Sequence, residues 1–155
     1  MATIELTTEL QAPIERCFDA SRDLDLHMAS MAETGERAVA GKTSGLIGPG
    51  EQVTWEARHL GVRQRFTSQI TAFSRPTYFQ DTMQKGAFKA FVHDHRFEEQ
   101  SGRTIMKDRV TFQSPLGWIG QFVDWLFMSW YLRRLIEARN QTIRAALEQP
   151  PSPEP

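Results

Sequence analysis

The chain has 155 residues, 40% of them hydrophobic and 24% charged, which is the size and balance of one globular domain with a single core. Its 18 Lys and Arg against 19 Asp and Glu leave a formal charge of -1, so composition gives no electrostatic footprint for nucleic acid and no general attraction to anionic membranes. A single cysteine, Cys17, excludes an intrachain disulfide and any multi-cysteine metal site.

The opening segment alternates, with Ile4, Leu6, Thr8 and Leu10 on one side and Thr3, Glu5, Thr7 and Glu9 on the other, which predicts a half-buried strand. It lacks the charged start and apolar run of a signal peptide, so a cytoplasmic location is expected. Gln11-Ala12-Pro13 breaks the strand, and Ile14, Cys17, Phe18 and Ser21 follow at helical spacing, with Cys17 as a small buried thiol. Arg22-Asp23 interrupts before a second short helical stretch over 26–31. A short strand at 36–40 leads into a glycine-rich connection, which lacks the Gly-Lys-Ser/Thr ending and following helix of a phosphate loop.

Residues 52–72 read as a hairpin turning at Leu60-Gly61. That loop sets Trp55 opposite Phe66, His59 opposite Val62 and Val53 opposite Ser68, with Glu56 and Arg65 as an ion pair on the other face. A one-residue slip would mix apolar and charged faces, so the register is specified. Strands at 77–84 and 88–98 pair around Lys85-Gly86-Ala87, but the loop length leaves the facing of Phe79, Asp81 and Met83 open. The last hairpin turns at Ser101-Gly102, placing Phe97 opposite Met106, His95 opposite Asp108, His93 opposite Val110 and Phe91 opposite Phe112. Arg96 and Asp94 then face Lys107 and Arg109 on the outer side.

Pro115 ends the strand, and one long helix follows with Ile119, Phe122, Val123, Leu126, Phe127, Trp130, Leu135, Ile136 and Ile143 on a broad apolar face. Asp124, Arg133 and Arg134 make a membrane span a poor reading, so a core helix and no stable membrane insertion are expected. Residues 150–155 are a Pro-rich tail after a domain at 1–149. These elements make an α+β fold: a curved antiparallel sheet wrapped around a long C-terminal helix, with two short helices after the first strand. A single helix covers the middle of a bent sheet but not its whole concave side. The space left over is a pocket, with Trp55, Phe66, Phe91, Phe97, Met106, Phe112, Phe122 and Trp130 as candidate walls. The alternative is that these large side chains fill the volume themselves.

The strand ending in Ala12-Pro13-Ile14-Glu15-Arg16-Cys17-Phe18, the Ser44-Gly45 turn, Val53-Thr54-Trp55 and Gly86-Ala87-Phe88 stand in a suggestive order. His93-Asp94-His95-Arg96-Phe97, Asp108-Arg109-Val110 and Ser114-Pro115-Leu116-Gly117 continue it. Through about residue 148 the chain resembles the SRPBCC or START-like superfamily, and within it the small polyketide cyclase/dehydrase-like bacterial members. That resemblance implies the helix-grip architecture and a hydrophobic ligand such as a lipid, quinone or polyketide. It implies no shared chemistry.

His95 and Asp108 are the polar exception on the apolar face. The pair reads as a ligand anchor, as a general acid/base, or as an internal hydrogen-bonded pair that fixes the register. His93 shares the face, yet alternate residues on a strand diverge by about 7 Å, so no metal site and no cofactor are expected from His93, His95 and Asp108. Asp81 joins them only if its strand turns it inward; His27 and His59 read as ordinary surface or packing residues. The leading expectation is a non-catalytic binding or carrier module for an apolar small molecule. An enzyme of the cyclase/dehydrase kind using His95 and Asp108 is the alternative. A homodimer or partner contact through the 118–130 surface is a third.

Overall fold

The structure is a computed structural model that describes residues 1–149; the Pro-rich stretch 150–155 lies outside them. Strand β1 (Ala2–Leu10) is followed by helices α1 (Ile14–Ser21) and α2 (Leu24–Ser30) and a single 3-10 turn. Helix α2 starts at Leu24 because the Asp23 carboxylate accepts from the backbone N–H groups of Asp25 and Leu26. Strands β2 (Arg37–Gly41), β3 (Gln52–His59), β4 (Val62–Ser74), β5 (Tyr78–Lys85), β6 (Ala90–Gln100) and β7 (Arg103–Gln113) complete one antiparallel sheet in the order β1-β7-β6-β5-β4-β3-β2.

Both predicted hairpin registers are present residue for residue. Trp55 pairs with Phe66 and His59 with Val62; His95 pairs with Asp108 and Phe91 with Phe112. The cause is local. Leu60-Gly61 and Ser101-Gly102 all have positive φ, the type I′ geometry whose twist matches that of the flanking strands. Glu56 forms its predicted ion pair with Arg65 at 3.0 Å, but Arg37 of β2 reaches it at 3.0 Å as well, and the two guanidinium groups cover it.

The facing of β5, open from the sequence, is decided by its neighbours. Strand β4 is irregular against β5 near Thr67 and Ile70, while β5 meets β6 in even register, with Phe79 opposite His95 and Asp81 opposite His93. Phe79 and Asp81 therefore face the concave side.

The long helix is built as α3 (Gly117–Val123), a π-helical turn at 124–128 and α4 (Ser129–Glu148). Asp124, 2% exposed, accepts from the Ser114 backbone N–H at 2.9 Å and from the Ser114 hydroxyl, fastening the helix to the end of β7. Only the C-terminal half behaves as the expected core helix. Ile136, Ile143 and Leu147 are buried, whereas Ile119, Phe122, Leu126, Phe127 and Trp130 are 41–60% exposed. The periodicity found one apolar face, but the sheet covers only part of its length.

The core divides in two. Phe18, Phe79, Phe97, Met106, Ile143 and others pack at one end, and Ile4, Val110, Phe112 and Ile136 form a second cluster. Along β7, Met106 belongs to the first and Val110 to the second, and Asp108 lies between them. A polar layer thus crosses the core at that level.

Candidate functional site

Alternation on β5, β6 and β7 brings Asp81, His93, His95 and Asp108 onto the inner face, and one turn of α4 lowers Arg139 and Asn140 onto them. His95 sits between two carboxylates, with Nε2 at 2.8 Å from Asp81 Oδ2 and Nδ1 at 3.2 Å from Asp108 Oδ1. The predicted His95–Asp108 pair is therefore present, but neither member belongs to the other alone. Asp108 is closer to His93, whose Nε2 lies 2.9 Å from its Oδ1. Asn140 Nδ2 donates to Asp108 Oδ2 at 2.8 Å, and Arg139 approaches Oδ1 at 3.4 Å.

Each member is held from behind. Arg139 also donates to the Asn140 side chain at 2.9 Å and to the Ser21 carbonyl at 3.0 Å. Ser68 donates to Asp81 at 3.2 Å. Phe79 stacks on His95 with ring centres 4.1 Å apart, and the two imidazoles lie 3.7 Å apart.

Burial lowers the His93 pKa below its ordinary value, helped by neighbouring His95 and opposed by Asp108 and Asp81. Burial alone would raise both acids. For Asp81, the hydrogen bond from His95 and the charges of His93, His95 and Arg139 outweigh it and bring the pKa to about 2. Asp108 is held well below the carboxylate range by hydrogen bonds from His93 and His95 and by the charge of Arg139. All three shifts have one sign: the unfolded chain binds protons that the folded one refuses. Stability is expected to fall on acidification in two stages. The first runs downward from the ordinary histidine value of 6.5, and the second from the ordinary carboxylate value of 3.8. Urea midpoints across a pH series test this, and His93→Gln should remove the first stage. A midpoint unchanged between about pH 7 and 5 would contradict it.

Above this layer opens a cavity of about 420 Å³ between sheet and helix, its walls mainly apolar. Of the candidate wall residues, Trp55, Phe66, Phe91, His93 and His95 line it. Phe97, Met106, Asp108 and Phe112 are 0–2% exposed and lie beneath it as core. Phe122 and Trp130 are 60% and 53% exposed and stand outside. The cavity adds residues that periodicity did not single out, among them Phe79, Asp81 and Tyr131. His27 and His59, read from sequence as ordinary, also line it. His27 packs its ring on Trp55 and bonds Glu36 at 2.8 Å, and His59 Nδ1 bonds the Tyr131 hydroxyl at 2.8 Å.

Asp81, His93 and His95 are the three side chains, among the described residues, whose ligand atoms could converge on a metal ion; they lie within 4.8 Å of one another. Such an ion would displace the proton between His95 and Asp81, with Asp108 orienting both imidazoles from the far side.

The model of the family described as polyketide cyclase / dehydrase and lipid transport matches residues 1–148. The chain is similar to the solved structure of TTHA0849 from Thermus thermophilus (TM-score 0.72, 17% identity, covering 94% of this chain and 99% of that one). It is also similar to Ms6760 from Mycobacterium smegmatis (0.68, 21%, 94% and 90%) and to major latex-like protein 151 from Panax ginseng (0.67, 13%, 96% and 98%). At these identities the structural likeness speaks for the fold alone. No curated protein matches the sequence. A family match over nearly the whole chain, on a sheet that grips its last helix, places this protein in the polyketide cyclase/dehydrase and lipid-transport family of the helix-grip superfamily.

Proposed function

We propose that the protein binds a mainly apolar small molecule whose one polar end carries a hydrogen-bond donor. The observation that carries this reading is the floor of the cavity. Burial favours neutral His93, whose Nε2–H is used on Asp108. Its Nδ1 is then a lone-pair acceptor, beside the Asp81 carboxylate. A hydroxyl or amine satisfies such a floor, and a bare carbonyl does not. A phenolic or hydroxylated polyketide-like or lipid compound therefore fits better than an oxidised quinone.

The test is a matched pair of probes, 2-naphthol and its methyl ether, titrated calorimetrically. The free hydroxyl is expected to bind at least about tenfold tighter, since an unmatched buried polar floor costs roughly 1–3 kcal/mol. Replacing His93 by Ala should bring the two affinities together. Equal affinity for the unaltered protein, or binding of neither, would sink the proposal.

A second reading, an enzyme of the cyclase/dehydrase kind, is favoured by one observation. A carboxylate at each nitrogen of His95 is an arrangement that moves protons. It differs in outcome: His95→Gln would abolish turnover of a bound compound while leaving its affinity largely intact.

A further inference from the structure

The first half of the last helix leaves a large apolar surface uncovered. Leu116, Trp118, Ile119, Phe122, Leu126 and Trp130 are 51–79% exposed, far beyond the scattered apolar exposure of an ordinary surface. At the tip of the β3–β4 hairpin, Leu60 and Val62 are 60% and 58% exposed. Leu60, Ala87, Phe88, Val123 and Tyr131 all line the cavity, so the two hairpin tips and the helix meet around one rim.

Exposed charge at this rim is mainly positive, the acid Glu36 that also lines the cavity being bonded to His27 at 2.8 Å. Arg58 and Arg63 flank the first tip, Lys85 and Lys89 the second, and Arg133 and Arg134 follow the exposed helix; all six are exposed. Arg134 lies over the Trp130 ring at 5.1 Å. Neither 57–66 nor 83–91 contains an acid, and from 116 to 136 the acid is Asp124, buried and bonded to Ser114. In a chain of net charge -1, cations have been gathered at the end that also exposes its aromatic groups.

We propose that this face docks on a lipid bilayer bearing anionic headgroups. Trp118, Phe122 and Trp130 would sit at headgroup depth and the six cations against the phosphates. A second copy of the chain fits less well, because a symmetric contact would set these cations against one another. Docking needs no spanning segment, and among the described residues no helix is long and apolar enough to cross a membrane. The surface rests on its own exposure and charge, whatever fills the cavity.

Co-sedimentation with phosphatidylcholine vesicles, with and without phosphatidylglycerol, tests it. Binding is expected to the mixed vesicles, to weaken with added salt, and to be weak on pure phosphatidylcholine. Trp118→Ser with Phe122→Ser should lower the partition coefficient more than tenfold. Arg133→Glu with Arg134→Glu should lower it on the order of tenfold or more. These side chains are exposed, so thermal melts of the variants should match the parent. Equal binding to both vesicle types would overturn the proposal. So would failure to bind either, and a dimer in solution that the Trp118/Phe122 variant dissociates would then assign the face to a second copy.

Discussion

Replacing Asp108 by Ala is expected to destabilise the protein by about 3–5 kcal/mol, because it leaves a buried guanidinium without its carboxylate. Arg139 and Asp108 are 4% and 2% exposed, and His93 and Asn140 also spend hydrogen bonds on that carboxylate. Desolvation makes the orphaned charge the costly part, more than the bonds lost. The same logic predicts that the pair is non-additive: Arg139→Met in the Asp108→Ala background should recover part of the loss. Chemical unfolding of the two single variants and the double variant measures this. A loss below about 1 kcal/mol for Asp108→Ala, or strict additivity with Arg139→Met, would mean that the layer is hydrated and loosely coupled.

The second large effect is expected at Phe18, in the larger of the two apolar clusters. Its ring is fully buried and meets Phe73, Phe79 and Phe97 edge-on, at centroid distances of 5.3, 5.3 and 5.4 Å. Phe18→Ala removes all three contacts and opens a cavity that backbone relaxation closes only in part, a cost of about 3–5 kcal/mol. The consequence reaches the site, because Phe79 is also the plate on which His95 lies. Phe18→Leu, which keeps most of the volume, should cost clearly less. Similar losses for the two variants in urea unfolding would show that ring geometry, not cavity size, sets the stability there.

Both predictions concern residues whose placement the sequence reveals unequally. Phe18 reads as core from helical spacing alone, and Asp108 reads as inward from a hairpin whose loop, Ser101-Gly102, is local chemistry. The partners of Asp108 are less legible. Arg139 and Asn140 look like the polar side of an amphipathic helix, and only the approach of α4 to the sheet turns them inward. Nothing in their spacing distinguishes them from Arg133 and Arg134, which are exposed.

What this sequence determines by itself is everything carried by period and turn. Strand alternation, two type I′ loops and the sorting of charge from aromatic groups specify the hairpin registers, because a one-residue slip would invert both faces. His95 opposite Asp108 follows from that. Tertiary structure decided the rest. Irregular pairing along β4 accompanies the turning of Asp81 and Phe79 toward His95, and bulges leave no periodic mark. The extent of the sheet left Trp118 and Phe122 outside, although their spacing matches that of buried Ile136 and Ile143. Helical periodicity reports which residues share a face. Whether anything covers that face depends on the distance and length of the surface packed against it.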